Sequence, residues 1–146
     1  MKSTANFYSL NKNHNLDLCI CRYVKHLFKK ESRIIVITSD DELEKLDKLL
    51  WTFEQNSFLP HKIYKDGDKA DTPILLSSLN YMDSSKIFNK YKWIINNLST
   101  ALLINPIDVN IYEFVEDDEN KKKISRKKYS DYKKHNFTLL HNKYDE

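Results

Sequence analysis

A single glycine, Gly67, occurs in 146 residues. Loops that cradle phosphate need several glycines, because only glycine lets the backbone approach the anion closely. Neither a Walker A loop nor a GxGxxG fingerprint can be written from this chain, so an ATPase or a dinucleotide enzyme is not expected even on an α/β fold. Cysteine is nearly as scarce. Cys19 and Cys21 stand two apart in a stretch that reads as helix. Residues at that spacing do not share a helix face, so the pair is read as small buried side chains and not as a chelate. No apolar run approaches the roughly 18 residues of a membrane span. Met1 to Asn13 has no apolar stretch leading to a small-residue cleavage site, and a cytoplasmic chain without a disulfide framework is expected.

Hydrophobic residues make up 40% of the chain and charged residues 31%. That is enough for one core and an ordinary polar surface, and a single domain spanning residues 1–146 is expected. The charge is unevenly placed. Lys121 to Glu146 holds nine Lys/Arg against three Asp/Glu, a net of +6, while the other 120 residues sum to −3. The mild overall charge of +3 therefore conceals a strongly basic C-terminal element, which calls for an acidic partner.

Hydrophobic periodicity orders the rest. Asn6 to Leu10 reads as a short strand. Leu16 to Lys30 repeats apolar residues at helical spacing. Arg33 to Thr38 is a β-branched run suited to a buried strand. Ser39 followed by Glu42 forms a capping box for a helix whose apolar face is Leu43, Leu46, Leu49, Leu50 and Phe53. Tyr64 to Thr72 is a polar loop holding the one glycine, Pro73 to Ser77 is another strand, and Asn80 to Lys90 reads as a second exposed loop. Lys92 to Leu98 allows either helix or strand, and Pro106 breaks what precedes it. Val109, Ile111, Glu113 and Val115 alternate as a strand. A basic helix follows over Lys121 to Lys134, entered through Asp117, Asp118 and Glu119, and Phe137 to Leu140 closes as a strand. Alternating strands and helices predict an α/β, Rossmann-like domain: a mostly parallel central sheet flanked by helices, without a nucleotide-binding loop.

Chemistry-bearing residues fall in two places. On the basic helix Lys122, Arg126, Tyr129 and Lys133 share one face. Arginine grips a carboxylate with two parallel bonds, lysines attract further acids, and tyrosine adds apolar area with a polar tip. A plain solvated face is the structural alternative, and a nonspecific nucleic-acid-binding module is the functional one. The second place is Trp51 with Phe58 beside the polar turn EQNS, an aromatic pair suited to anchoring an interface or to completing the core. His61 has no neighbouring Ser or Cys in a nucleophile motif. Asp40 with Asp41, and Asp117 with Asp118, precede helices, where negative charge belongs anyway.

Two segments carry a family signature: Leu50 to Lys62 (LWTFEQNSFLPHK) and Ile124 to Asn142 (ISRKKYSDYKKHNFTLLHN). With the opening NFYSL and the EFV before the basic helix, they resemble the chi subunit family of bacterial DNA polymerase III. The resemblance runs in order along nearly the whole chain, except from about Lys65 to Lys92. Asn136 stands where the family often has glycine, and Ser130 where a basic side chain is frequent. The resemblance implies a non-catalytic adaptor without a cofactor. It implies two partners: the psi subunit, which tethers chi to the clamp loader, and the acidic C-terminal tail of single-stranded DNA-binding protein, which ends in phenylalanine. By the same resemblance the tail-binding residues are Lys122, Arg126, Tyr129, Lys133 and Val115. The strand just before the basic helix, with Phe114 and Val115, is expected to supply part of an apolar pocket for the phenylalanine ring. Trp51 and Phe58 belong to the psi surface, for which a helicase competes.

Overall fold

A computed structural model describes residues 3–56, 58–82, 85–104 and 108–144. Strand β1 (Thr4–Ser9) leads to helix α1 (Leu16–Lys29), β2 (Ile34–Ile37) and α2 (Asp40–Thr52). Then come β3 (His61–Ile63), β4 (Ile74–Ser77), a 3-10 turn over Ser85–Asn89 and β5 (Trp93–Asn96). The chain closes with β6 (Asn110–Val115), α3 (Glu119–Lys134) and β7 (Thr138–Lys143). The seven strands form one sheet in the order β3-β4-β2-β5-β6-β1-β7. Every pairing is parallel. This is the expected α/β architecture.

Strand alternation divides the core between two faces. Ile34, Val36, Ile74, Leu76 and Ile95 meet the apolar sides of α1 and α2. Ala5, Phe7, Ile35, Ile37, Leu75, Ile94 and Ile111 face the other way, toward Tyr132 of α3 and Phe137. Cys19 and Cys21 are buried in α1 as expected. Burial, assisted by the Asp17 charge, pushes the Cys21 thiol up to about 12, which suppresses its thiolate.

The helix ends follow from single residues. Asn15 caps α1 by accepting the Leu18 N–H at 3.1 Å, and Asp118 caps α3 by accepting the Lys121 N–H at 3.0 Å. After α3, Asn136 adopts φ 64°, and the N–H groups of Asn136 and Phe137 return to the carbonyls of Lys133 and Tyr132. That is a Schellman closure with asparagine in the left-handed position, sealed by Phe137 against Tyr132 at 4.9 Å between ring centroids. Gly67, at φ 94°, takes the turn that a side chain would strain.

Three sequence expectations need correction. Ser39 occupies the N-cap of α2, but its side chain makes no capping bond. The Glu42 carboxylate turns instead toward Lys45, 3.8 Å away one turn on, so the capping box stays open. β1 starts at Thr4, two residues early, because pairing with Asn110 and Ile111 extends it, and it stops before Leu10. The stretch read as a second exposed loop carries Met82 and Phe88, both buried in the core on the α3 side. Phe88 lies in the short 3-10 turn Ser85–Asn89, too short to show a helical or strand period in the sequence. His61–Ile63 is a strand too short to alternate, formed by pairing with β4. The ambiguous segment around Trp93 is a strand. Pro106 lies outside the described residues.

Candidate functional site

Helix α3 is fastened to the sheet by a buried polar cluster. Glu113 of β6, only 2% exposed, receives Lys128 Nζ at 2.7 Å, Asn96 Nδ2 at 2.7 Å and the Tyr132 hydroxyl at 2.5 Å. The same hydroxyl accepts the Leu102 N–H at 3.1 Å. Burial pushes the Glu113 carboxyl above its ordinary range, against the opposing pull of Lys128, Tyr132 and Asn96. Burial and the neighbouring carboxylate raise the Tyr132 phenol. In the sequence Glu113 marks only a position of the alternating strand Val109 to Val115. The available signal was an acid at an inward strand position, with Lys128 and Tyr132 four apart on the next helix.

With Lys128 and Tyr132 turned inward, the adjoining stripe of α3 hangs over the end of the sheet. There it encloses a cavity of about 440 Å³. Phe7, Ser9, Val115 and His141 line it from β1, β6 and β7, and Lys122, Ser125, Arg126 and Tyr129 from the helix. Tyr129 leans on Phe7 at 5.4 Å between centroids, and Leu10 extends the apolar lining. Ser9 Oγ and His141 Nε2 are hydrogen bonded at 2.6 Å. Lys122 is ion-paired with Asp117 at 2.8 Å, while Arg126 is exposed and has no ion pair among the described residues.

Four of the five residues expected there, Lys122, Arg126, Tyr129 and Val115, thus meet at one cavity. Lys133 is exposed on α3 beyond its wall. Phe114 does not contribute: strand alternation turns it to the opposite face, where its ring meets Tyr8 at 5.8 Å, Tyr23 at 5.5 Å and Tyr144 at 5.9 Å. Ser9 and His141 were missed, because strand alternation alone does not reveal which strands become neighbours. The cavity joins an aromatic and aliphatic lining to cationic groups. That suits a ligand with one apolar side chain and carboxylates beside it.

A second exposed feature sits at the far end of α2. Trp51 is 51% exposed and Phe58 61%. Their rings stack at 5.6 Å with planes 16° apart. Trp51 also rests against His61 at 4.4 Å. That imidazole is fixed: Nδ1 lies 2.6 Å from the Leu59 carbonyl and Nε2 3.1 Å from the Asp47 carbonyl. Both ring nitrogens are engaged within the fold, and the residue serves as a platform for the aromatic pair. Glu54, in the turn after α2, is held by Lys25 of α1. Leu50 is buried and Phe53 partly so, completing the core beneath. The paired aspartates have structural duties: Asp40 accepts from Asn80 at 2.9 Å, Asp117 pairs with Lys122, and Asp118 caps α3.

Among the described residues no helix is long and apolar enough to cross a membrane. The sequence profile of the family described as DNA polymerase III chi subunit, HolC, matches residues 1–140. The chain is similar to the DNA polymerase III subunit chi of Escherichia coli strain K12. They are 22% identical over 144 residues, covering 92% of this chain and 94% of that protein. It is also similar to the DNA polymerase III subunit chi of Haemophilus influenzae, 27% identical over 82 residues, or 54% of this chain and 57% of that protein. With the profile match covering all but the last six residues, the chain belongs to the DNA polymerase III chi subunit family.

Proposed function

We propose that this chain is a non-catalytic adaptor of the cytoplasmic replication machinery, with both of its docking surfaces on one domain. The α3 cavity takes the acidic C-terminal tail of single-stranded DNA-binding protein, and the Trp51–Phe58 pair takes the psi subunit of the clamp-loader assembly. A helicase competing with psi would use the same aromatic pair. One observation carries the reading: Arg126 and Lys122 border a cavity walled by Phe7, Val115 and Tyr129. A terminal phenylalanine fills such a cavity, and its free carboxylate and the acids before it meet the cations. Joining two partners raises the local concentration of each for the other.

Calorimetric titration with a short acidic peptide ending in phenylalanine tests this, beside the same peptide without that residue. The full peptide is expected to bind, more weakly as salt rises, and the truncated one to lose most of its affinity. Failure of both at low salt would refute the reading. Binding of single-stranded DNA in its place would favour the nucleic-acid module.

A further inference from the structure

The acidic turn between β6 and α3 stands beside the cationic side of the cavity. Asp117 in this turn already holds Lys122, Nζ to Oδ1 at 2.8 Å, with both side chains partly exposed. Lys12, from the loop after β1, acts on the same carboxylate at longer range, and Lys122 also feels Glu119 and Arg126. The two cations facing the cavity are therefore not equivalent. Arg126 is open to a ligand, whereas Lys122 is occupied by the chain's own carboxylate.

We infer that Asp117 is a specificity-determining residue of the α3 cavity, an internal competitor for Lys122 that limits how much a ligand's second carboxylate adds to binding. The inference rests on the cavity being an acidic-peptide site. A ligand's terminal carboxylate goes to Arg126, which needs no displacement. A second ligand acid gains Lys122 only by exchanging with Asp117. That exchange replaces one ion pair by another, so the net gain is small. Lys12 makes the exchange feasible, because the released Asp117 carboxylate keeps a cation nearby. A ligand with a single carboxylate and an apolar side chain cannot drive the exchange and gains nothing from Lys122.

This arrangement has a signature that overall charge does not reproduce. Exchanging ion pairs at Lys122 releases little salt dependence, whereas forming a new pair there adds to it. The test compares the intact chain with Asp117→Asn, and with Asp131→Asn as a control that removes one negative charge elsewhere on α3. Each is titrated with an acidic peptide ending in phenylalanine at several salt concentrations. Asp117→Asn is expected to tighten binding by about threefold, the scale of one exposed ion pair, and to steepen the salt dependence. Asp131→Asn should do neither to that extent. In a Lys122→Met background the Asp117→Asn gain should disappear. Equal gains from Asp117→Asn and Asp131→Asn, or a gain that survives Lys122→Met, would overturn the inference and leave the peptide site standing. Binding by none of the proteins would overturn both. Thermal unfolding of each variant confirms that the fold is retained.

Discussion

Lys128 Nζ lies 2.7 Å from Glu113 Oε1, and both groups are buried beneath α3. The pair ties the helix that carries Arg126 and Tyr129 to the strand that carries Val115. Removing Lys128 leaves the buried Glu113 carboxylate with only the neutral donors Asn96 and Tyr132. Lys128→Met is expected to destabilise the chain by about 3–5 kcal/mol at neutral pH. Chemical denaturation would measure this, and a loss below about 1 kcal/mol would mean that the cluster relaxes easily.

The same carboxyl gives a pH dependence of known sign. Glu113 is held above its unfolded value of 4.5, with burial as the leading cause. The folded chain therefore holds this proton more tightly than the unfolded chain does. Its contribution to stability is fully present below the unfolded value and is lost as pH rises through the higher folded one. Glu113→Gln cannot titrate. Urea unfolding from about pH 4 to about pH 8 should show the parent losing stability relative to this variant as pH climbs. Parallel profiles would contradict the assignment.

Glu31 closes α1 at φ 59°, a conformation that favours glycine. Glu31→Gly is expected to stabilise by about 0.5–1 kcal/mol, the relief of strain outweighing the entropy that glycine adds to the unfolded chain. Asn136→Gly, at φ 64°, should gain less, since asparagine already tolerates that region. A melting temperature lowered by Glu31→Gly would count against the argument.

Arg126 and Lys133 lie on one helix stripe but stand differently toward the cavity. Arg126→Ala should weaken binding of the acidic peptide about tenfold with the fold intact, and Arg126→Lys should recover only part of it, because lysine cannot bind bidentately. Lys133→Ala should cost about twofold, the effect of a screened charge outside the wall. Equal losses from Arg126→Ala and Lys133→Ala would mean that the helix acts only as a diffuse positive surface.

Trp51 and Phe58 are exposed enough to be removed without opening the core. Trp51→Ala is expected to change stability by no more than about 1 kcal/mol while weakening psi binding about tenfold or more. Titration with purified psi, beside thermal unfolding, separates the two effects. Unchanged psi affinity would remove this pair from the proposed interface.

What could be read in the sequence follows the strength of local signals. The β-branched run Ile34 to Ile37, the apolar stripe of α1 and the basic stripe of α3 are strong local signals, and the structure has those elements. Lys122, Arg126 and Tyr129 could be grouped because one helix holds them. His141 and Ser9 could not, since 132 residues separate them and only parallel pairing of β1 with β7 brings them together. Met82 and Phe88 give no such signal for the converse reason: isolated buried side chains in and beside a short 3-10 turn set up no period. Glu113 was visible as a strand residue, but its burial depends on α3 folding back across the sheet. Phe114 was misplaced because adjacency to Val115 in sequence means opposite faces in a strand.

The order of the strands has a geometric consequence. Trp51 packs beside β3, at one edge of the sheet, and His141 lines the cavity from β7, at the other. Neighbouring strands lie about 4.8 Å apart, so the six gaps between these edges set the two exposed sites about 29 Å from each other. Partners seated at both would be held apart by the sheet between them, which would act as a spacer of fixed length.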